Sequence, residues 1–426
     1  MGTFDFSELV IYKKGRRTIL DGMRLCGMYK AYCRAYQKTF KLASRFLTWR
    51  TPELLEGENS LLALPALVKE KGIRRVLVVT DRGIASLGLM NPLLEGLQEQ
   101  QIDFTVYDRT VPNPTIDNIE EAFGLYKENR CEGIIAFGGG SPMDCAKGVA
   151  ARVARPDLQL PQMKGTLKVR KEMPSFFAIP TTAGTGSEAT VAAVVSNSKT
   201  YEKYPINDPV LIPHYAVLDP LLTVKLPPHI TSTTGMDALT HAVEAYIGKS
   251  NTEETRSYSL EAVELIFANL YTAYTDGENL EARKNMQRAS YLAGMAFTRA
   301  YVGNVHAIAH TLGGFYGVPH GLANAVILPY VLEFYGDVIY KPLSELADAA
   351  GIGEPGQTEE QKAKQFIEAI KQLNKEMNIP NKIEGIINRD IPIMVERALQ
   401  EANPLYPVPK ILNKDEMFYL YQIIQP

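Results

Sequence analysis

The sequence predicts a two-part fold: an α/β domain built on a parallel sheet, followed by an all-helical domain. Three observations carry this. Between about residues 53 and 219, short apolar runs alternate with amphipathic helical stretches. At Asp219-Pro220 the strand signal stops, and long helical patterns with few β-branched runs take over. Half of the six histidines then fall in one stretch of that second part, GNVHAIAHTLGGFYGVPHG, from Gly303 to Gly321.

Composition sets the outer limits. The chain has 426 residues, room for two domains. It is 46% hydrophobic and 22% charged with a net charge of -3, so nothing calls for nucleic acid or another polyanion as partner. Four cysteines, Cys26, Cys33, Cys131 and Cys145, show neither zinc-ribbon nor disulfide-framework spacing. Reduced thiols in a cytoplasm are the simpler reading. No apolar run reads as a transmembrane segment or as a signal-peptide core. The expected localisation is cytoplasmic.

Residues 1–50 form a basic extension. Lys and Arg recur from Lys13 to Arg50, opposed only by Asp5, Glu8 and Asp21. Tyr29, Tyr32, Tyr36 and Phe40 are interleaved at spacings of three and four, which fits an amphipathic helix. Such a helix can lie on an anionic membrane surface or serve in targeting. A helix packed on the body is favoured, because the aromatic stripe is richer than a transit peptide needs and the first residues are acidic.

Residues 51–225 read as the α/β domain. Arg75–Thr80, Phe104–Tyr107, Gly133–Phe137 and Phe176–Pro180 are its strand runs. Between them lie helical stretches such as 116–129, with Ile116, Ile119, Phe123 and Tyr126 on one face. Continuous apolar strands alternating with amphipathic helices indicate a parallel sheet covered on both sides. Such sheets bind ligands at the carboxyl ends of their strands. LDPLLTVKLPPHI, with its three prolines, reads as a crossing between domains. Residues 226–426 read as the helical domain, with helices expected over 234–247, 254–274, 280–299, 321–335, 343–350, 359–377, 391–401 and 414–424.

The chemistry-bearing residues cluster at strand ends and on two helical segments. The third strand run enters Gly138-Gly139-Gly140-Ser141-Pro142-Met143-Asp144, a glycine turn whose N–H groups can close on a phosphate at a helix N-terminus. It is neither the GxGxxG fingerprint nor a Walker A loop. The fourth enters PTTAGTGSE, with Thr181 and Thr182; two such loops on neighbouring strands would line one cleft. Asp81 closes the first strand. A carboxylate there can accept from a ribose 2′-OH and repel a 2′-phosphate, and it can equally cap a helix.

In the second half, Asp237 and His241 are four residues apart, as are His306 and His310, so each pair shares a helix face. His320 follows Gly-Gly and a later proline, so the chain can turn back. One carboxylate with two or three imidazoles in one helical domain suits Fe(II) or Zn(II), and a set without cysteine suits catalysis more than a closed structural zinc site.

Taken in order, VPNPT (Val111–Thr115), GGGSPMDCAK, PTTAGTGSE, GMDALTHAVEAY and HAIAHTLGGFYGVPHG resemble the iron-containing (group III) alcohol dehydrogenases over roughly residues 52 to 426. That resemblance implies a dehydroquinate synthase-like architecture: a Rossmann-like nucleotide-binding domain and a helical domain, with the site in the cleft between. By motif it implies Asp237, His241, His306 and His320 as metal ligands, with His310 near metal and nicotinamide but not a usual ligand. It implies Gly138, Gly139, Gly140, Ser141, Asp144, Thr181 and Thr182 at the cofactor's pyrophosphate and ribose, Asp81 at the position linked with NAD over NADP, and Asn113 and Lys203 as further cofactor-side positions. The basic extension has no counterpart in the family's compact members.

The implied activity is reversible oxidation of a small alcohol to an aldehyde or ketone. The metal acts as a Lewis acid, the nicotinamide takes the hydride and His310 carries the proton. A homodimer or larger homo-oligomer is implied as well. A zinc-dependent glycerol or diol dehydrogenase and a hydroxyacid–oxoacid transhydrogenase are the alternatives on the same fold. A non-catalytic nucleotide sensor or scaffold is the reading from a different class, and an intact ligand set weighs against it.

Overall fold

The computed structural model describes residues 27–198 and 202–426. Lys13, Lys14, Arg16, Arg17 and Arg24 of the basic extension lie outside them. The rest of the expected N-terminal helix is α1, Gly27–Ser44. It lies on the helical half: Phe40 meets the Tyr301 ring edge-on at 5.9 Å, and the Lys41 ammonium donates to the Asn251 carbonyl at 2.7 Å.

The α/β half follows as β1 (Glu53–Glu56), α2 (Leu64–Glu70), β2 (Arg75–Val79), α3 (Arg82–Ser86), α4 (Asn91–Glu99), β3 (Asp103–Tyr107), α5 (Ile116–Glu128), β4 (Gly133–Gly138), α6 (Gly140–Ala154), β5 (Gly165–Thr166), β6 (Ser175–Pro180), β7 (Ala192–Asn197), β8 (Glu202–Asn207) and β9 (Tyr215–Leu218). Six strands form an all-parallel sheet in the order β1-β9-β6-β4-β2-β3. Alternate residues serve its two faces, as a strand period of two requires. Leu77, Val79, Ile134, Ala136, Phe176 and Ala178 enter one core; Val76, Val78, Ile135, Phe137, Phe177 and Ile179 enter the other. Covering both faces is what makes these strands read as continuous apolar runs.

Two features go beyond the sequence expectation. β1 and β9 are four-residue strands at one side of the sheet, too short to register as runs. β5, β8 and β7 form a separate three-stranded sheet, and β8 holds Pro205, which lowers its strand signal.

The helical half comprises α7 (Pro228–Ile247), α8 (Glu253–Thr275), α9 (Leu280–Ala300), α10 (Asn304–Tyr316), α11 (His320–Tyr335), α12 (Tyr340–Ala349), α13 (Glu359–Glu376), α14 (Ile391–Ala402) and α15 (Lys414–Ile423). The expected helices are all present, most within two residues at each end. α12 starts three residues early, at Tyr340, and α7 departs most. It starts at Pro228 rather than Thr234, because proline at the first helical position costs no hydrogen bond and presets φ. α11 and α12, linked by a 3-10 turn, make one apolar run, His320–Ala349, long enough to cross a membrane; 61% of its most apolar window is buried inside the protein, as in a core helix.

The two halves meet closely. The loop after β6 presents Gly186 in the left-handed region (φ 58°), and a Cβ there would stand 2.7 Å from both Gly294 Cα and the Ser290 carbonyl of α9. The Gly186 N–H donates to Ser290 Oγ at 3.2 Å, and the Val191 N–H to Thr298 Oγ1 at 2.9 Å.

Candidate metal centre and cofactor loops

Three helices bring four side chains to one point. Asp237 and His241 sit one turn apart on α7, His306 lies in the first turn of α10, and His320 opens α11. Each offers one ligand atom, and these atoms all lie within 4.8 Å of one another. His320 Nε2 is 3.6 Å and His306 Nε2 4.0 Å from Asp237 Oδ1. The edge of a tetrahedron around a metal with ~2.1 Å bonds is about 3.4 Å, so the set is near metal-binding dimensions.

The local sequence explains the convergence. Gly317, left-handed at φ 67°, ends α10, and Pro319 starts α11. A Cβ on Gly321 would collide with the Thr233 carbonyl, so only glycine lets the start of α11 lie against α7.

The donor chemistry fits a cation. Asp237, His241 and His306 are buried, while the His320 side chain is 34% exposed and leaves one side open. An open position distinguishes catalytic from structural sites. Burial pushes the Asp237 carboxyl up to about 7, opposed by the hydrogen bond from Asn324. Burial and then the neighbouring histidines hold His241, His306 and His320 well below their ordinary value. A neutral imidazole keeps a lone pair available. His241 Nδ1 is buried without a hydrogen-bond partner.

Two supporting residues escaped the sequence reading. Glu244 Oε2 accepts from His306 Nδ1 and the Gly303 N–H, both at 2.7 Å, and Oε1 from the Val305 N–H at 2.8 Å. Burial pushes this carboxyl up to about 7 against those donors. With Nδ1 occupied, His306 presents Nε2 to the cluster. The Asn324 amide nitrogen lies 2.6 Å from Asp237 Oδ1 and 3.2 Å from Nε2 of both His306 and His320. The signals were present: Glu244 lies seven residues after Asp237 on the same helix face, and Asn324 four after His320.

His310 stands beside the cluster and outside it. Its ring stacks on His320 with centroids 5.0 Å apart, and its Nδ1 lies 2.6 Å from Glu401 Oε1. Burial works to raise the Glu401 carboxyl, but the charge and hydrogen bond of His310, with a second bond from the Tyr406 hydroxyl, hold it below its ordinary value. Glu401 lies far along the chain, and nothing in the sequence announces it.

Of the residues expected on the cofactor side, Asp81, Gly138–Ser141, Asp144, Thr181 and Thr182 lie at or follow the carboxyl ends of three adjacent strands, β2, β4 and β6, while Asn113 follows β3 and Lys203 lies in β8. Gly138 pairs with Pro180 across β4 and β6, and the Thr181 N–H donates to the Gly138 carbonyl at 3.1 Å. Gly138 has φ 144°, and a Cβ on it would lie 2.7 Å from Pro142; a Cβ on Gly140 would lie 2.9 Å from Thr185. Gly139 lies beside Thr182, and Thr181 Oγ1 is buried without a partner. Ser141 Oγ accepts from the Asn113 N–H at 3.2 Å, and Asn113 Oδ1 accepts from the Lys203 ammonium at 2.7 Å. Asp81 caps α3, accepting from the Ile84 N–H at 3.0 Å.

Lys203 links the two groups. Burial lowers its pKa, the charges of Asp144 and Glu401 raise it, and its own charge acts on His320. Asp144 is pushed up by burial, against Lys147 and Lys203. Lys147 is fully buried and donates to the Thr190 carbonyl and hydroxyl and to the Ala192 carbonyl, tying α6 to the second sheet.

Residues 51–220 match the family model described as iron-containing alcohol dehydrogenase, and residues 231–424 match the Fe-containing alcohol dehydrogenase family, C-terminal. Alcohol dehydrogenase 4 of Saccharomyces cerevisiae is 39% identical over 350 residues, 81% of this chain and 90% of that one. The 1,3-propanediol dehydrogenase of Citrobacter freundii is 37% identical over 372 residues, 86% of this chain and 95% of that one. Among solved structures, a 1,3-propanediol oxidoreductase superposes with a TM-score of 0.85 at 35% identity, covering 89% of this chain and 99% of that one. A sulfoacetaldehyde reductase from Bifidobacterium kashiwanohense, solved in complex with NAD+, superposes with a TM-score of 0.78 at 27% identity, covering 89% and 98%.

Proposed function

The chain belongs to the iron-containing alcohol dehydrogenase family and is an oxidoreductase, and we propose that it converts a small primary or secondary alcohol reversibly to its aldehyde or ketone with NAD as hydride acceptor. The observation that carries this reading is the Asp237, His241, His306 and His320 cluster, with four donor atoms together and one side open.

In this reading those four residues hold Fe(II) or Zn(II). When bound, the metal supplies Lewis acidity to the alcohol oxygen and the nicotinamide accepts a hydride. His310 has Nδ1 engaged by Glu401, which leaves Nε2 to take the alcohol proton and pass it to solvent. The alcohol thus loses one hydride to NAD+ and one proton to His310. The glycine turn Gly138–Gly140 with Ser141, Asp144, Thr181 and Thr182 binds the pyrophosphate and ribose side, with Asn113 and Lys203 beside it. Asp81 favours NAD by accepting from the ribose 2′-OH and repelling a 2′-phosphate.

The Irving–Williams order favours zinc over ferrous iron in such a site, so cellular supply selects the metal. The cysteines Cys131 and Cys145 are free and buried, which supports a reducing compartment, and the reading includes a cytoplasmic homo-oligomer. The test is NADH absorbance over a panel of short primary alcohols and diols after loading with Fe(II) or Zn(II). Activity lost to a chelator and restored by metal supports the reading. No absorbance change across the panel with metal bound sinks it.

A further inference from the structure

The chain between α14 and α15, residues 403–413, has little regular structure, so its carbonyls need partners from elsewhere. α1 supplies most of them. The Gln37 amide nitrogen donates to the Tyr406 carbonyl at 2.7 Å and the Pro404 carbonyl at 3.1 Å. The Arg34 guanidinium donates to the Val408 and Pro409 carbonyls at 2.7 and 2.9 Å. The Pro407 carbonyl is taken by the Lys249 N–H. Arg34 also donates to Gln37 Oε1 at 2.8 Å, which sets the amide so that its nitrogen faces the two carbonyls. Gln37 is 5% exposed, an unusual burial for a glutamine in a helix otherwise largely solvated.

The segment so held leads straight to the site. Tyr406 donates its hydroxyl to Glu401 Oε1 at 2.8 Å, and the same oxygen lies 2.6 Å from His310 Nδ1. Gln37, Tyr406, Glu401 and His310 therefore form one unbroken series of hydrogen-bonded contacts from the N-terminal helix to the ring stacked on His320. The helix lies before residue 51, where the family match begins.

We propose that α1 is a strut for His310, and that Gln37 is a positioning residue for the reaction, acting through Tyr406 and Glu401. This rests on the reading in which His310 takes the alcohol proton. A Tyr406 backbone released from Gln37 lets the hydroxyl drift from Glu401, and Glu401 then holds His310 less firmly.

The test uses the metal-loaded full chain. Gln37→Met keeps length and packing but removes both donors; Lys38→Ala, on the exposed face, is the control. Gln37→Met is expected to lower kcat about threefold to tenfold, as loss of a hydrogen bond's worth of positioning implies, with KM for alcohol and NAD and metal content unchanged. Tyr406→Phe should do the same alone, and adding Gln37→Met to it should cost nothing more, because the link is already cut. A wild-type kcat in either single variant, or losses that multiply in the double, overturns the proposal. A reading independent of turnover is the rate at which diethyl pyrocarbonate modifies His310, followed by peptide mass. It should rise in both single variants and no further in the double; an unchanged rate overturns the strut. A wild-type chain inactive on every alcohol, with that rate raised as expected, would instead overturn the assigned reaction and leave the strut standing.

Discussion

His306 Nδ1 lies 2.7 Å from Glu244 Oε2, with both side chains sealed in the core. The carboxylate also takes two backbone N–H groups from the start of α10, so it sets the helix and the ring together. Glu244→Gln replaces one acceptor oxygen by a donor facing donors. It should weaken metal affinity by about 10–100-fold, the usual cost of losing such a partner. Competition with a chromogenic chelator measures this; affinity equal to the wild type would remove Glu244 from the metal site.

His310 offers a different outcome. His310→Ala should lower turnover by about 10²–10⁴-fold, the range for losing a general base, while metal content measured by plasma emission stays near normal. Metal lost from the variant would make His310 a ligand instead.

Asp81 caps α3 and, in the proposed reading, also selects the cofactor, and one substitution separates the two. Asn caps as well as Asp, so Asp81→Asn should leave the thermal midpoint nearly unchanged. Without the charge, the preference for NAD over NADP should fall by about tenfold or more, since a unit charge at contact range repels by roughly 1–4 kcal/mol. The ratio of kcat/KM for the two nucleotides is the measurement, and an unaltered ratio would return Asp81 to capping alone.

Away from the site, His214 gives the fold a pH dependence. Its Nδ1 accepts from the Phe176 N–H at 3.2 Å, and burial, then the Arg50 charge, push the imidazole down from 6.5 to about 4. Between those values the unfolded chain takes up a proton that the folded chain refuses. Stability should therefore fall as pH drops from about 6.5 toward 4. Thermal midpoints across that range should slope less in His214→Gln than in the wild type; equal slopes would clear His214.

The central strands and most helices were legible because burial on both sheet faces writes uninterrupted apolar runs and helix packing writes a 3.6 period. β1 and β9 were not, since four residues carry no period, and β8 was hidden by Pro205. The metal cluster was legible as two pairs at helical spacing plus a histidine after a turn, and the resemblance singled out the four residues that the helices bring together. Glu244 and Asn324 could have been read from the same spacing. Glu401 and the grip of Gln37 on Tyr406 could not, because contacts across 91 and 369 residues leave no local pattern.

The approach of Gly186 to Gly294 fixes a length scale. Where the loop after β6 crosses α9, backbone lies on backbone with no side chain between. A side-chain contact can be lengthened, shortened or re-angled by substitution; this one has no adjustable part. The spacing between that loop and α9, which packs against α7, is set there by the thickness of the polypeptide itself. In the proposed reading, substrate range can then diverge through side chains while the distance between the two halves stays constant.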